Sequence, residues 1–126
     1  MPVQFQLDSA SGVPFYRQVI DRILAGIATG ALRRGERLPT VRALAVELAV
    51  NLNTVARAYK ELEIRGVLTT QQGSGTFVAT EEVSLDEVER GRRLAQLIDE
   101  FLARAAAQGL TLGELRGALA EREAAS

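Results

Sequence analysis

The chain of 126 residues contains no cysteine and no histidine, and its only lysine is Lys60. Without cysteine or histidine it can build no Ser-His-Asp or Cys-His nucleophilic centre, no thiol redox pair, no zinc finger and no His-based metal site. No disulfide can form, which suits a reducing compartment, and the expected location is cytoplasmic. Long apolar runs are also missing. The stretch from Val41 to Val50 contains Arg42 and Glu47 and falls far short of the roughly 18 apolar residues a membrane-spanning helix needs. The N-terminus, Met1-Pro-Val-Gln-Phe-Gln-Leu-Asp8, lacks the basic and apolar regions of a signal peptide. No membrane partner is expected.

What is present is an ordinary globular balance, 47% hydrophobic and 25% charged, enough for one domain or one small domain with an appendage. The net charge of −1 at first argues against a nucleic-acid partner, because phosphate binding favours a basic protein. The charge is unevenly divided, however. Residues 1–80 carry nine basic and six acidic groups, a balance of +3, and residues 81–126 carry six and ten, a balance of −4. A basic front and an acidic back imply two parts with different partners, with the boundary near Ala79-Thr80-Glu81-Glu82.

Periodicity outlines the elements. Val3, Phe5 and Leu7 alternate with glutamines, as in a short strand. Pro14 suits a first helical turn, and Tyr16, Val19, Ile20, Ile23 and Ile27 then mark one buried helix face ending at Gly30. Leu32 to Pro39 reads as a loop. Thr40 can cap a second helix from Val41 to about Leu48, with Val41, Leu44, Ala45 and Leu48 inward. Asn51 and Asn53 are candidate caps of a third helix, which buries Val55, Ala58, Tyr59 and Leu62 and stops at Gly66. Two short helices at this separation form a helix-turn-helix. The period then changes. Val67–Thr70 and Thr76–Ala79, separated by the five residues Gln71–Gly75, predict a hairpin. A helix-turn-helix followed directly by a hairpin is the winged arrangement; the plainer alternative is a small α+β core with an ornamental hairpin.

The run Arg37-Leu-Pro-Thr-Val-Arg-Ala-Leu-Ala, then Asn53-Thr-Val-Ala-Arg-Ala-Tyr-Lys-Glu-Leu-Glu-Ile-Arg-Gly66, then Gly73-Ser-Gly-Thr-Phe-Val78, resembles the GntR family of bacterial transcription regulators. The likeness covers roughly residues 10–79, with three motifs in register. It implies a dimer that binds double-stranded operator DNA and regulates transcription, often as a repressor. The tail of about 46 residues is too short for the effector-binding or aminotransferase-like domains of larger members, and its length resembles the YtrA subfamily. That likeness implies a pair of helices used for dimerisation and control of nearby genes, often for ABC-type transporters.

The tail supports this on its own terms. Ser84-Leu-Asp-Glu87 and Thr111-Leu-Gly-Glu114 both fit the capping-box pattern. Between and after them, Leu94, Leu97, Ile98, Phe101 and Leu102, then Leu112, Leu115 and Leu119, form apolar stripes. Two helices alone have too little surface to bury both stripes. A second copy would cover them; packing back on the winged part is the alternative. The expected fold is mainly α with a small β-hairpin, a winged helix-turn-helix over residues 1–80 followed by a helical hairpin for dimerisation over 81–126.

A recognition helix enters the major groove through its N-terminal end. The candidates there are Asn51, Asn53 and Thr54, followed by Arg57 and Lys60. Asparagine can bridge adenine, arginine can bridge guanine, and threonine can meet a thymine methyl or a phosphate. For Asn51 and Asn53 the alternative role is helix capping. Thr40 and Arg42 occupy positions whose family counterparts contact the DNA backbone or a base. Gly73, Ser74 and Gly75 let a wing backbone approach phosphates without Cβ clashes. Gln71 and Gln72 replace the basic wing residues common in similar proteins, and Leu52 stands where proline is common.

Little supports catalysis. Glu81-Glu82 and Asp99-Glu100 read as solvated pairs, and the GSG loop is not followed by the Gly-Lys-Ser/Thr of a phosphate-binding loop. No metal or cofactor is expected. The competing class is a winged-helix module that binds protein rather than DNA. The operator sequence and any small-molecule effector are not legible.

Overall fold

The computed structural model describes residues 6–81 and 85–125. In chain order it contains α1 (Phe15–Thr29), α2 (Val41–Leu48), α3 (Leu52–Ile64), β1 (Leu68–Gln71), β2 (Gly75–Val78), α4 (Glu87–Ala107) and α5 (Leu112–Ala124). The chain divides into two units, Met1–Glu81 and Glu82–Ala125.

In the first unit, α1 begins after Pro14 without a side-chain cap. Gln18 instead holds the incoming chain. Its Oε1 accepts from the Asp8 N–H (2.7 Å), and its Nε2 donates to the carbonyls of Asp8 and Val13 (both 2.8 Å). Of the strand expected at Val3, Phe5 and Leu7, the first two residues lie outside the described residues; Leu7 packs against the core and is not in a strand. The stop at Gly30 is as expected, with φ +84°.

Thr40 caps α2, its hydroxyl accepting from the Ala43 N–H at 3.0 Å. The turn to α3 passes through Ala49, a non-glycine residue at φ +55°, while the Val50 N–H returns to the Ala45 carbonyl (3.1 Å). Asn51 is the cap of α3: its side-chain oxygen accepts from the Asn53 N–H at 2.8 Å. That settles which asparagine caps and leaves Asn53 in the first helical turn. α3 ends at Gly66, with the Val67 N–H closing back to the Leu62 carbonyl (2.9 Å), a Schellman motif.

Val19, Ile20 and Ile23 of α1, Leu44 and Ala45 of α2, and Val55, Ala58, Tyr59 and Leu62 of α3 form the core, closed by Leu68 and Val78 of the hairpin. Each fully buried large aliphatic side chain contributes roughly 1.5–3 kcal/mol. The segment expected to be a plain loop supplies two more core residues, Leu32 and Leu38. It also pairs with β2: Arg37 and Phe77 form an antiparallel bridge, the Leu38 N–H donates to Thr76 and the Val78 N–H to Glu36 (both 2.8 Å). The hairpin itself is tighter than expected. Gln71 pairs with Gly75, and the loop shrinks to Gln72, Gly73 and Ser74, because Gly73 takes φ +82° and the Ser74 N–H bonds the Gln71 carbonyl at 3.0 Å.

In the second unit Asp86 caps α4; Ser84, expected to open a capping box with Glu87, lies outside the described residues. The Asp86 carboxylate accepts from the Glu89 N–H at 2.7 Å. Glu89 in turn accepts from Arg92 and Arg93 (2.8 and 2.9 Å), which holds its pKa down to about 2. Gly109 ends the helix at φ +77°, and the capping box Thr111–Glu114 starts α5 as expected. Only Ala105 is buried among the described residues of these two helices. Leu94, Leu97, Ile98 and Phe101 on α4, and Leu112 and Leu119 on α5, are all exposed; Leu102 and Leu115 are half-buried.

Candidate nucleic-acid interface

The recognition surface follows from how α3 is anchored. With Val55, Ala58, Tyr59 and Leu62 buried on one side, the 3.6-residue period puts Asn53, Arg57 and Lys60 on the opposite side. All three are exposed. Asn51 spends its carbonyl oxygen on the cap, so its amide NH2 is the group left for donation. Thr54 is half-buried beside them. Leu52, the first residue of the helix, is 42% exposed and is not part of the core.

The start of α2 is tied to α3 by one buried group. The Tyr59 hydroxyl donates to the Pro39 carbonyl at 2.7 Å, immediately before the cap Thr40. Burial, with a smaller contribution from the Glu47 charge, pushes the phenol above its ordinary pKa, so it remains a donor. Thr40 and Arg42 are exposed at this helix start. The Thr40 hydroxyl oxygen is engaged as an acceptor in the cap, and its proton can still be donated.

Two arginines sit differently from what the sequence suggests. Arg57 does not stand straight out from α3. Its guanidinium lies over the Tyr16 ring of α1, 3.7 Å from the centroid, and its Nε is 3.8 Å from a Glu61 carboxylate oxygen. Arg37, not singled out beforehand as a contact, is exposed and lies against the wing glycine. A Cβ built on Gly75 would fall 2.9 Å from the Arg37 Nε. Because strand pairing with Phe77 places it there, only its position in the Arg37-Leu-Pro-Thr motif hinted at a role. Arg34 reaches the carbonyls of Ala79 and Glu81 (3.5 and 3.4 Å) and so braces the exit from the wing.

The wing joins the end of α3 through side chains, the Glu63 carboxylate accepting from the Thr70 hydroxyl, which meets the Thr76 hydroxyl at 3.3 Å. Gly73, Ser74 and Gly75 form its tip and the first residue of its return strand. At Gly75 φ is +121°, a conformation side chains rarely adopt. Gly75→Ala is expected to lower stability by about 1–3 kcal/mol and to displace the Arg37 guanidinium from the wing. An unchanged urea unfolding midpoint would contradict this.

A helix-turn-helix whose second helix carries exposed asparagine, arginine and lysine, followed by a hairpin with an arginine laid against it, defines a winged-helix DNA-binding protein. Residues 15–78 match the family described as "Bacterial regulatory proteins, gntR family". The chain belongs to that family, and it is a DNA-binding transcription regulator rather than an enzyme. It is 40% identical to the HTH-type transcriptional repressor YtrA of Bacillus subtilis (strain 168), over 59% of this chain and 57% of that protein. It is 32% identical to YtrA from Sulfolobus acidocaldarius, a GntR-family transcription factor of known structure, covering 93% of this chain and 94% of that one with a TM-score of 0.57. The AraR DNA-binding domain, solved in complex with operator ORX1, is 34% identical over 60% of this chain and 93% of that one, with a TM-score of 0.52. No helix among the described residues is long and apolar enough to cross a membrane.

Proposed function

We propose that the chain acts in the cytoplasm as a homodimeric repressor. Each copy places α3 in the major groove of one operator half-site, and α4 and α5 join the copies. The observation that carries the DNA part is the outward face of α3. Asn53, Arg57 and Lys60 stand opposite the buried face, with Asn51 and Thr54 at the helix start. Asn53, Arg57 and the Asn51 amide are the candidate base readers. Thr40, Arg42, Lys60 and the backbone of Gly73, Ser74 and Gly75 are assigned to phosphates, and Arg37 joins them. The AraR–operator complexes support this use of the fold.

The dimer part rests on the tail. Leu94, Ile98, Phe101 and Ala105 recur at spacings of four, three and four, the seam of a helix that packs along another helix. Together with Leu97, Leu102, Leu112, Leu115 and Leu119 they make an apolar surface that a second copy would bury. Its own operon and neighbouring genes, ABC-type transporter genes among them, are the assigned targets, on the likeness to YtrA-type regulators.

Fluorescence-anisotropy titration with the DNA upstream of the protein's own operon, against random DNA at moderate salt, tests the reading. Selective binding is expected; equal binding to both would favour a module that recognises protein. In the same assay Arg57→Ala is expected to weaken specific binding by roughly 1–3 kcal/mol. Equal losses on operator and random DNA would assign Arg57 to phosphate rather than base.

A further inference from the structure

We propose that Tyr16, on the helix preceding the helix-turn-helix, is a positioning residue for DNA recognition, its ring holding the Arg57 guanidinium in the orientation that meets the DNA. This rests on the reading of α3 as the DNA-contacting helix.

The Arg57 guanidinium carbon lies 3.7 Å from the centre of the Tyr16 ring. Tyr16 is half-buried in the first turn of α1 and packs against the core, and α1 packs directly on α3. The ring is therefore a fixed surface, whereas the Arg57 side chain is 61% exposed. Glu61, one turn further along α3, restrains the same group from a second side at 3.8 Å, longer than a hydrogen bond, and divides its charge with Arg65, also at 3.8 Å. Stacking occupies the face of a guanidinium and leaves its N–H donors in the plane of the edge. The held arginine keeps the donors a phosphate or a guanine edge would use. A long side chain already ordered in the free protein loses less freedom on binding. A residue outside the helix-turn-helix thus sets how well a residue inside it binds.

A double-mutant cycle on operator DNA tests this. Tyr16→Leu, which removes the aromatic face, is expected to weaken operator binding about threefold to tenfold. Tyr16→Phe keeps the face and is expected to stay within about twofold of the wild type. In an Arg57→Ala background Tyr16→Leu should cost nothing more. A loss of the same size in that background, or a Tyr16→Phe loss equal to that of Tyr16→Leu, overturns the proposal. NMR of the wild type reads the contact without a variant. Arg57 side-chain resonances should be shifted by the ring current of Tyr16 and keep that shift when operator is added; loss of the shift overturns the proposal too. If the wild type fails to prefer its operator over random DNA, the regulator reading falls and this proposal with it. If the wild type is selective and the cycle shows no coupling, only this proposal falls.

Discussion

If the chain pairs through its tail as proposed, Phe101→Glu is expected to leave it monomeric and to cut operator affinity by about two to four orders of magnitude. Phe101 is 42% exposed in the single chain and lies midway along the proposed seam of α4, between Ile98 and Ala105. A carboxylate there is well hydrated in the monomer. In the dimer it would lose that hydration against apolar side chains, where an unpaired charge costs several kcal/mol. The fold of one chain should survive, because no core residue of the winged unit is touched, and circular dichroism checks this. The loss of DNA affinity follows from valency rather than from any DNA contact. Two linked reading heads bind the second half-site at an effective concentration far above the free protein concentration, and a monomer has no such advantage. Sedimentation velocity at micromolar protein reads the first effect and anisotropy the second. A Phe101→Glu protein that still sediments as a dimer removes the tail from the account.

The second large effect is on ionic strength. Arg37, Arg42 and Lys60 are the exposed cations assigned to phosphates, and Arg57, whether it meets a guanine edge or a phosphate, brings a fourth charge into the same field, about four per copy and about eight per dimer. Each neutralised phosphate releases condensed counterions, so a log–log slope of affinity against salt of roughly −7 is expected. Raising salt from about 50 to about 200 mM should then weaken operator binding on the order of 10⁴-fold. A slope near −3 would mean that one copy binds, or that the wing and α2 stay off the backbone. Gln71 and Gln72 place no charge on the wing, so Arg37 is its cationic group. Arg37→Ala should reduce the dimer slope by about 2, one released counterion per copy.

The helices and their caps were legible because their signals are local. Thr40, Asn51 and the Thr111–Glu114 box lie within one turn of the N–H groups they satisfy. The outward face of α3 was legible for the same reason, since the buried set Val55, Ala58, Tyr59 and Leu62 fixes the helix rotation. The box read at Ser84–Glu87 begins outside the described residues, and the cap that the structure describes for α4 is Asp86, on the Glu89 N–H. The remaining differences come from contacts distant in sequence. Leu32 and Leu38 looked like loop residues because no period marks them; the Leu32 N–H turns back to the Gly26 carbonyl of α1, and Leu38 enters the core through pairing with β2 some forty residues on. The same pairing brings Arg37 to the wing. The stack of Arg57 on Tyr16 joins two helices and has no sequence spacing to announce it. Charge was the most misleading summary: −1 for the chain averages a basic reading head and an acidic tail.

The central claim, that two copies read one operator through paired α3 helices, is tested most directly by a hydroxyl-radical footprint on the DNA upstream of the protein's own operon. The account predicts protection in two patches related by two-fold symmetry, their centres about one helical turn or roughly 34 Å apart, both lost together in Phe101→Glu. A single protected patch unaffected by that substitution, or uniform weak protection along the whole fragment, would contradict it.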